Sequence, residues 1–265
     1  MFSLLLAGLV ASQGQALELD YADEPGLDAV VAHWNGYDLP FFHRGTHWLA
    51  VVGIDLDTAA GPLKVPVTFH YADGHERVTS ELVAVETHAY PTTRLNVEDR
   101  FVELSPGDQS RATREAQEIA ALYAVVTPMP LWTDAFTAPI PGTKDGRNFG
   151  HRRVFNGRPR APHSGADLKA ALGTPIHAAN AGRVVLAKNL FYSGNAVFID
   201  HGLGLYTTYL HLSRIDVHPG QQVARGQVIG LSGATGRVTG PHLHWGVRIL
   251  DARVDPFSLL RLSLY

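Results

Sequence analysis

Five side chains in three short motifs have types and spacings suited to metal-assisted hydrolysis. The first motif is His242-Leu243-His244, inside GPHLHWGV. In an extended chain the side chains alternate faces, so the two imidazoles converge on one surface and Leu243 points the other way. Alone, such a pair reads as a surface strand that happens to carry two histidines. The second motif, His163-Ser-Gly-Ala-Asp167, offers an imidazole and a carboxylate four residues apart, with Gly165 expected to let the backbone bend so that both face one point. The third, Tyr209-Leu210-His211, ends a β-pattern with another histidine. Cysteine is absent while histidine occurs 14 times, so any metal must be held by His, Asp or Glu. A catalytic zinc uses three protein ligands and leaves a fourth position open, whereas a structural zinc is closed by four. His163, Asp167 and one histidine of the HxH supply a His2Asp set, leaving two histidines to handle protons on a substrate.

The elements that must position these motifs read as strands. From Pro162 onward, β-branched and apolar runs such as VVLA and AVFI alternate with Gly and Pro turns, which predicts a second, β-rich domain over 131–265. Residues 17–106 carry short strand patterns at regular spacing, His47 to Leu56, Val65 to Tyr71 and Glu81 to Tyr90, and predict an immunoglobulin-like β-sandwich. Between the two lies a linking segment, 107–130. It holds the single convincing helix, Ser105 to Val126, whose stripe of Ala112, Ala116, Ile119, Ala120, Tyr123 and Ala124 predicts a core-facing side before a proline-rich stop. The fold class is therefore mainly β. His43 with His47 and His70 with His75 also have metal-like spacing, but no third ligand accompanies either pair. Tyr209 and Asn195 read as packing residues, and His177 and His201 as surface histidines. Six basic residues between Lys144 and Arg160 form a loop able to attract an acidic substrate.

A formal net charge of -3 on 265 residues provides no electrostatic reason to expect nucleic acid as a partner. The short apolar run in residues 1–16, followed by small residues at Gly14 and Ala16, predicts a signal peptide and hence a periplasmic or secreted protein. No later segment reaches the ~20 apolar residues needed to span a bilayer.

HSGAD, YLHLS and GATGRVTGPHLHW together resemble the lysostaphin-type, LytM-like zinc metallopeptidases, which cut peptide cross-links in bacterial cell walls. The resemblance covers roughly 149–256 and implies that 131–265 is a β-sheet metallopeptidase domain with a groove. It implies that His163, Asp167 and His244 bind Zn2+ and that His211 and His242 are the catalytic histidines. It further implies peptidoglycan stem peptides as substrate, with D,D-endopeptidase cleavage expected ahead of glycyl-glycine cleavage, and leaves room for cell-wall or regulatory proteins to dock on the N-terminal domain. A non-catalytic regulator of other wall enzymes is the alternative within the family, and loss of ligands is its usual mark; all five positions are present here. The departure is Gly246, where many relatives carry an acidic or amide residue. Two readings from other classes fall away. VHPGQQVARGQVIG resembles a biotinyl-type carrier turn but lacks a suitably placed lysine, and GLSGATG lacks the GK[ST] of a phosphate loop.

Overall fold

The computed structural model describes residues 8–264, and among them strands dominate. The C-terminal half is built on one antiparallel sheet. Its order runs Gly165–Leu168, Leu243–Ile249, Leu205–Leu212, Gly194–Asp200, Gly182–Leu190 and Gln222–Val223, and Ala252–Val254 also pairs with Leu243–Ile249. A second, three-stranded sheet of Pro175–His177, Val228–Leu231 and Arg214–Ile215 accompanies it. Alternation determines the faces. Leu243, Trp245, Val247 and Ile249 enter one buried cluster with Ile176, Val197, Ile199 and Ile229, which leaves His244 and Gly246 on the opposite face. Burying that many large apolar side chains, at roughly 2 kcal/mol each, makes this sheet the rigid base of the molecule.

In the N-terminal half, a five-stranded sheet and the three-stranded sheet of Ala16–Ala22, His47–Gly53 and Phe42–Arg44 contribute to one core. Leu19 and Val52 from the smaller sheet meet Val30, Val67, Phe69 and Val83 from the larger. The arrangement is two sheets over a shared core. Part of the segment assigned to a leader, residues 1–7, lies outside the described residues. The remainder is not a free tail: Leu9–Ser12 pairs in parallel with Leu82-side residues Val83 to Glu86 of the strand Glu76–Glu86, and Ala11 and Ala16 are buried. A chain cut after Ala16 would lose that strand.

The helix is observed at Pro106–Tyr123. Ser105 caps it by accepting a hydrogen bond from the Asp108 backbone N–H at 3.1 Å, and Pro106 occupies the first turn, where its missing N–H costs nothing. Its expected apolar stripe is corrected in detail. No residue of the helix is fully buried, and contact comes from Ile119, Leu122 and Tyr123 against Leu186, Leu190, Ala196 and Phe198 on the outer side of the large sheet. Ala116 and Ala120 are exposed, because a helix laid on one sheet buries only a narrow line of longer side chains.

The two halves are joined at more than the linker. Thr92–Leu95 pairs in parallel with Arg152–Phe155, which pairs in turn with Arg158–Arg160, so one small sheet draws strands from both sides of the helix. Arg253 donates to Asp55 and Asp57, and a Cβ on Gly53 would lie 2.6 Å from that of Ala252.

Candidate metal centre

Each motif reaches the centre by a different local device. Along the extended run 163–168, positions 163, 165 and 167 share one face, while Ala166 and Leu168 enter the core. Asp167 is the direct cross-strand partner of His244. Gly165 serves this pairing in an unexpected way. Its backbone is not in the left-handed region; instead, a Cβ there would lie 2.5 Å from His244 Nε2 and 2.6 Å from the Trp245 carbonyl. Its missing side chain makes room for the His244 ring. His242 lies one residue before the strand and is held extended by a bridge to Gly233, so it shares the face of His244 as the HxH pattern predicts. Leu243 is fully buried on the other side.

His211 arrives by an exception to the strand period. Tyr209 pairs with Trp245 and points into the core, so strict alternation would send His211 there as well. A register shift against Asn195 to Val197, together with a left-handed backbone at His211 (φ 66), turns the imidazole to the cleft and sends Leu212 into the core. Such a backbone is costly for a residue with a Cβ, by roughly 1–3 kcal/mol, and persists only where the surroundings impose it.

The ligand atoms form a compact triangle. His163 Nε2 lies 2.8 Å from His244 Nδ1 and 3.0 Å from Asp167 Oδ1, and His244 Nδ1 lies 3.2 Å from the same oxygen. Among the described residues, these three form the group whose ligand atoms could hold a metal ion. Ligand atoms about 2.0–2.1 Å from a tetrahedral zinc stand roughly 3.3 Å apart, close to these separations. Proton accounting supports the same fit. His163 Nδ1 donates to the Asn148 carbonyl at 2.8 Å, which leaves Nε2 of the neutral ring as a bare lone pair facing a carboxylate oxygen. Acceptor faces acceptor along that edge, and a cation between them relieves it. Asn148 supports two corners at once, since its side-chain amide also donates to Asp167 Oδ2 at 3.3 Å. Burial pushes the Asp167 carboxyl up, but the His244 hydrogen bond and the neighbouring imidazoles outweigh it and hold the carboxyl below its ordinary value. Burial lowers His244 against the pull of Asp167.

His211 and His242 stand beside the triangle, their ring centroids 5.0 Å apart. His211 Nδ1 donates to the Thr235 carbonyl at 2.9 Å, and His242 Nδ1 to the Gly240 carbonyl at 2.8 Å. Both Nε2 atoms are thereby left as acceptors, and His242 Nε2 lies 3.6 Å from Asp167 Oδ1. Burial, then the adjacent His244 and His242, push His211 down to about 3, so its ring is neutral at ordinary pH.

All five residues line a cleft of about 220 Å³. A larger hollow of about 800 Å³ beside Asn35, Asp55 and Arg248 holds no such cluster among the described residues, so the smaller cleft is the candidate site. Its walls contain residues that the motifs did not mark: Leu95 and Val97 from the first half of the chain, Phe155, Tyr192, Arg153 and Arg237. Burial pushes the Arg153 guanidinium down to about 10 and lowers Arg237 as well. Arg153 belongs to the basic segment noted in the sequence; Arg237 carried only a position inside the glycine-rich run before the HxH. Tyr209 packs as expected, accepting from the Ala179 N–H at 2.8 Å. Asn195 likewise ties backbone together, donating to the Leu212 carbonyl at 3.1 Å. His201 is corrected: it is fully buried, with Nδ1 on the Ala181 carbonyl and Nε2 against Thr207. Gly246 is needed small, because a Cβ there would lie 2.5 Å from Thr208 Oγ1.

A mainly β protein with a His-Asp-His triangle, its two imidazoles buried, and two spare imidazoles in one cleft has the parts of a metal-dependent hydrolase. Comparison with known proteins gives the family. The profile of Peptidase family M23 matches residues 161–256. A putative peptidase M23 from Pseudomonas aeruginosa, known as a crystal structure, superposes with a TM-score of 0.70 at 36% identity, covering 94% of each chain. The chain belongs to peptidase family M23. Among curated relatives, the peptidoglycan DD-endopeptidase ShyA of Vibrio cholerae is 54% identical over 118 residues, 44% of this chain and 27% of that protein. The DD-carboxypeptidase/endopeptidase Mpg of Neisseria meningitidis is 39% identical over 121 residues, 46% of this chain and 28% of that protein. The matched region thus spans about a quarter of the length of these relatives.

Proposed function

We propose that this protein is a zinc-dependent endopeptidase that hydrolyses the D-alanyl-diaminopimelate cross-links of bacterial peptidoglycan outside the cytoplasm. The observation that carries the reading is the division of labour in the cleft: three ligand atoms within hydrogen-bonding distance of one another, and two imidazoles beside them that hold no ligand position. The relatives named peptidoglycan DD-endopeptidase support the substrate class.

In this reading His163, Asp167 and His244 hold the metal. Bound zinc supplies Lewis-acid polarisation of the scissile carbonyl and lowers the pKa of water towards ~7. His211 and His242, each with Nδ1 anchored on a backbone carbonyl, present Nε2 to accept a proton from the attacking water and to return it to the leaving amine. The ring that takes up this proton gains an Nε2–H, which can donate to the negative charge developing on the carbonyl oxygen. Leu95, Val97 and Phe155 exclude water along one wall.

The test is digestion of purified, cross-linked peptidoglycan with zinc-loaded protein, followed by mass analysis of the fragments. Loss of cross-linked dimers with gain of monomers ending in free D-alanine is expected. Cleavage of oligoglycine bridges alone would overturn the assignment, and no cleavage of either would point to a regulator.

A further inference from the structure

Arg153 and Arg237 line one wall of the cleft, with Arg160 paired to Arg153 behind it. Arg153 and Arg160 are direct cross-strand neighbours, an arrangement that sets like charges opposite each other. The Arg237 guanidinium carbon lies 4.4 Å from the Tyr192 ring centroid and 4.8 Å from that of Phe155, and Arg153 lies 5.8 Å from the same Phe155 ring. Among the described residues none of the three forms an ion pair with a carboxylate. Arg160 reaches only the Val102 carbonyl, at 3.3 Å, and its buried Nε has no partner. The acid whose charge Arg153 feels is Asp167, and its oxygens already face His163, His244 and Asn148. Other arginines of the chain do meet carboxylates, among them Arg158 with Glu103, Arg111 with Glu115 and Arg253 with Asp55. Withdrawing guanidinium charge from water is expensive unless an anion completes the site. The flat faces of Phe155 and Tyr192 hold Arg237 in place while leaving its N–H fork available for a bidentate acceptor.

We propose that Arg153 and Arg237 form a carboxylate subsite beside the metal centre, which selects peptides carrying an anionic group next to the scissile amide. The inference rests on the endopeptidase reading above and narrows its substrate. In a D-alanyl-diaminopimelate bond the carbon bearing the scissile nitrogen also bears a carboxylate; in a glycyl-glycine bond it bears hydrogens. Arg160, behind Arg153, adds positive potential without reaching the substrate.

The probe is acetyl-D-alanyl-meso-diaminopimelate, free or amidated at the carboxyl beside the scissile bond. Binding to the zinc-loaded protein is measured by calorimetry with His242→Ala to prevent turnover, and hydrolysis is measured with the parent chain. The free form is expected to bind at least tenfold tighter than the amide. Arg237→Gln and Arg153→Gln each collapse that ratio towards one, Arg237→Lys restores part of it, and Arg158→Gln, outside the cleft, leaves it unchanged. Equal affinity for the two forms, or a ratio that survives in both Gln variants, overturns the subsite. Because binding is read separately, a protein that binds the free form selectively yet hydrolyses neither keeps the subsite and loses the endopeptidase assignment.

Discussion

Both halves of this molecule place histidines against carboxylates, and the contrast shows how little that proximity means alone. In the N-terminal half His43 meets Asp23, His47 meets Asp20, His70 meets Glu76 and His75 meets Asp73, at 2.6–3.1 Å. Each is an isolated pair on exposed strands or turns, where solvent satisfies the remaining lone pairs. The C-terminal triangle has similar distances but differs in three ways. A second imidazole converges on the same oxygen, the rings are buried, and each ring is oriented by a backbone carbonyl or a cross-strand partner. Burial turns a proton-sharing surface pair into an arrangement that favours a cation.

Variants can break this contrast, and the largest effect is expected at the triangle. His163→Ala or His244→Ala should lose bound zinc and, with it, more than about 10⁴-fold in activity; metal analysis of the purified variants checks this, and full activity in His244→Ala would refute the ligand assignment. His211→Ala or His242→Ala should keep zinc while kcat/KM falls about 10²- to 10⁴-fold, the range for removing a positioned acid or base. Gly165→Ala forces a methyl against the His244 ring and the Trp245 carbonyl, and a loss of about 10- to 100-fold in zinc affinity by competition with a chelator is expected. Acid sensitivity separates the halves next. Burial holds His201 down at about 4 against 6.5 for a free ring, so its contribution to stability is complete above pH 6.5 and is lost as pH falls through 4. That amounts to roughly 3 kcal/mol between these limits, read as a pH-dependent urea midpoint that His201→Gln should flatten. The smallest effect belongs to the exposed pairs: His47→Ala should shift stability by less than about 0.5 kcal/mol and leave zinc content unchanged.

Much of the site was legible because its motifs obey local rules. His242 and His244 share a face through the period of two, and Leu243 anchors the other side, as HLH predicts. His163 and Asp167 needed only an extended segment, although the role of Gly165 proved to be clearance and not bending. What local pattern did not reveal depends on partners distant in sequence. His211 enters the cleft through a bulge created by its pairing with the strand Gly194–Asp200, and the period of two would have buried it. Asn148 acts through a backbone carbonyl, which no side-chain motif records. Arg153 and Arg237 are far apart in sequence and meet through the aromatic ring of Phe155. In the fold, mainly β and the presence of the helix were readable, while the strand at Leu9–Ser12 was hidden by an apolar run that also suits a leader.

The short strand Thr92–Leu95 has a consequence for how this chain can be recombined. It contributes a wall to the cleft from the far side of the helix, with Leu95 and Val97 facing the histidines. A graft that exchanges the first half of the chain at the proline-rich stop therefore also exchanges part of the substrate groove, so swapped hybrids should inherit their cleavage preference from both parents.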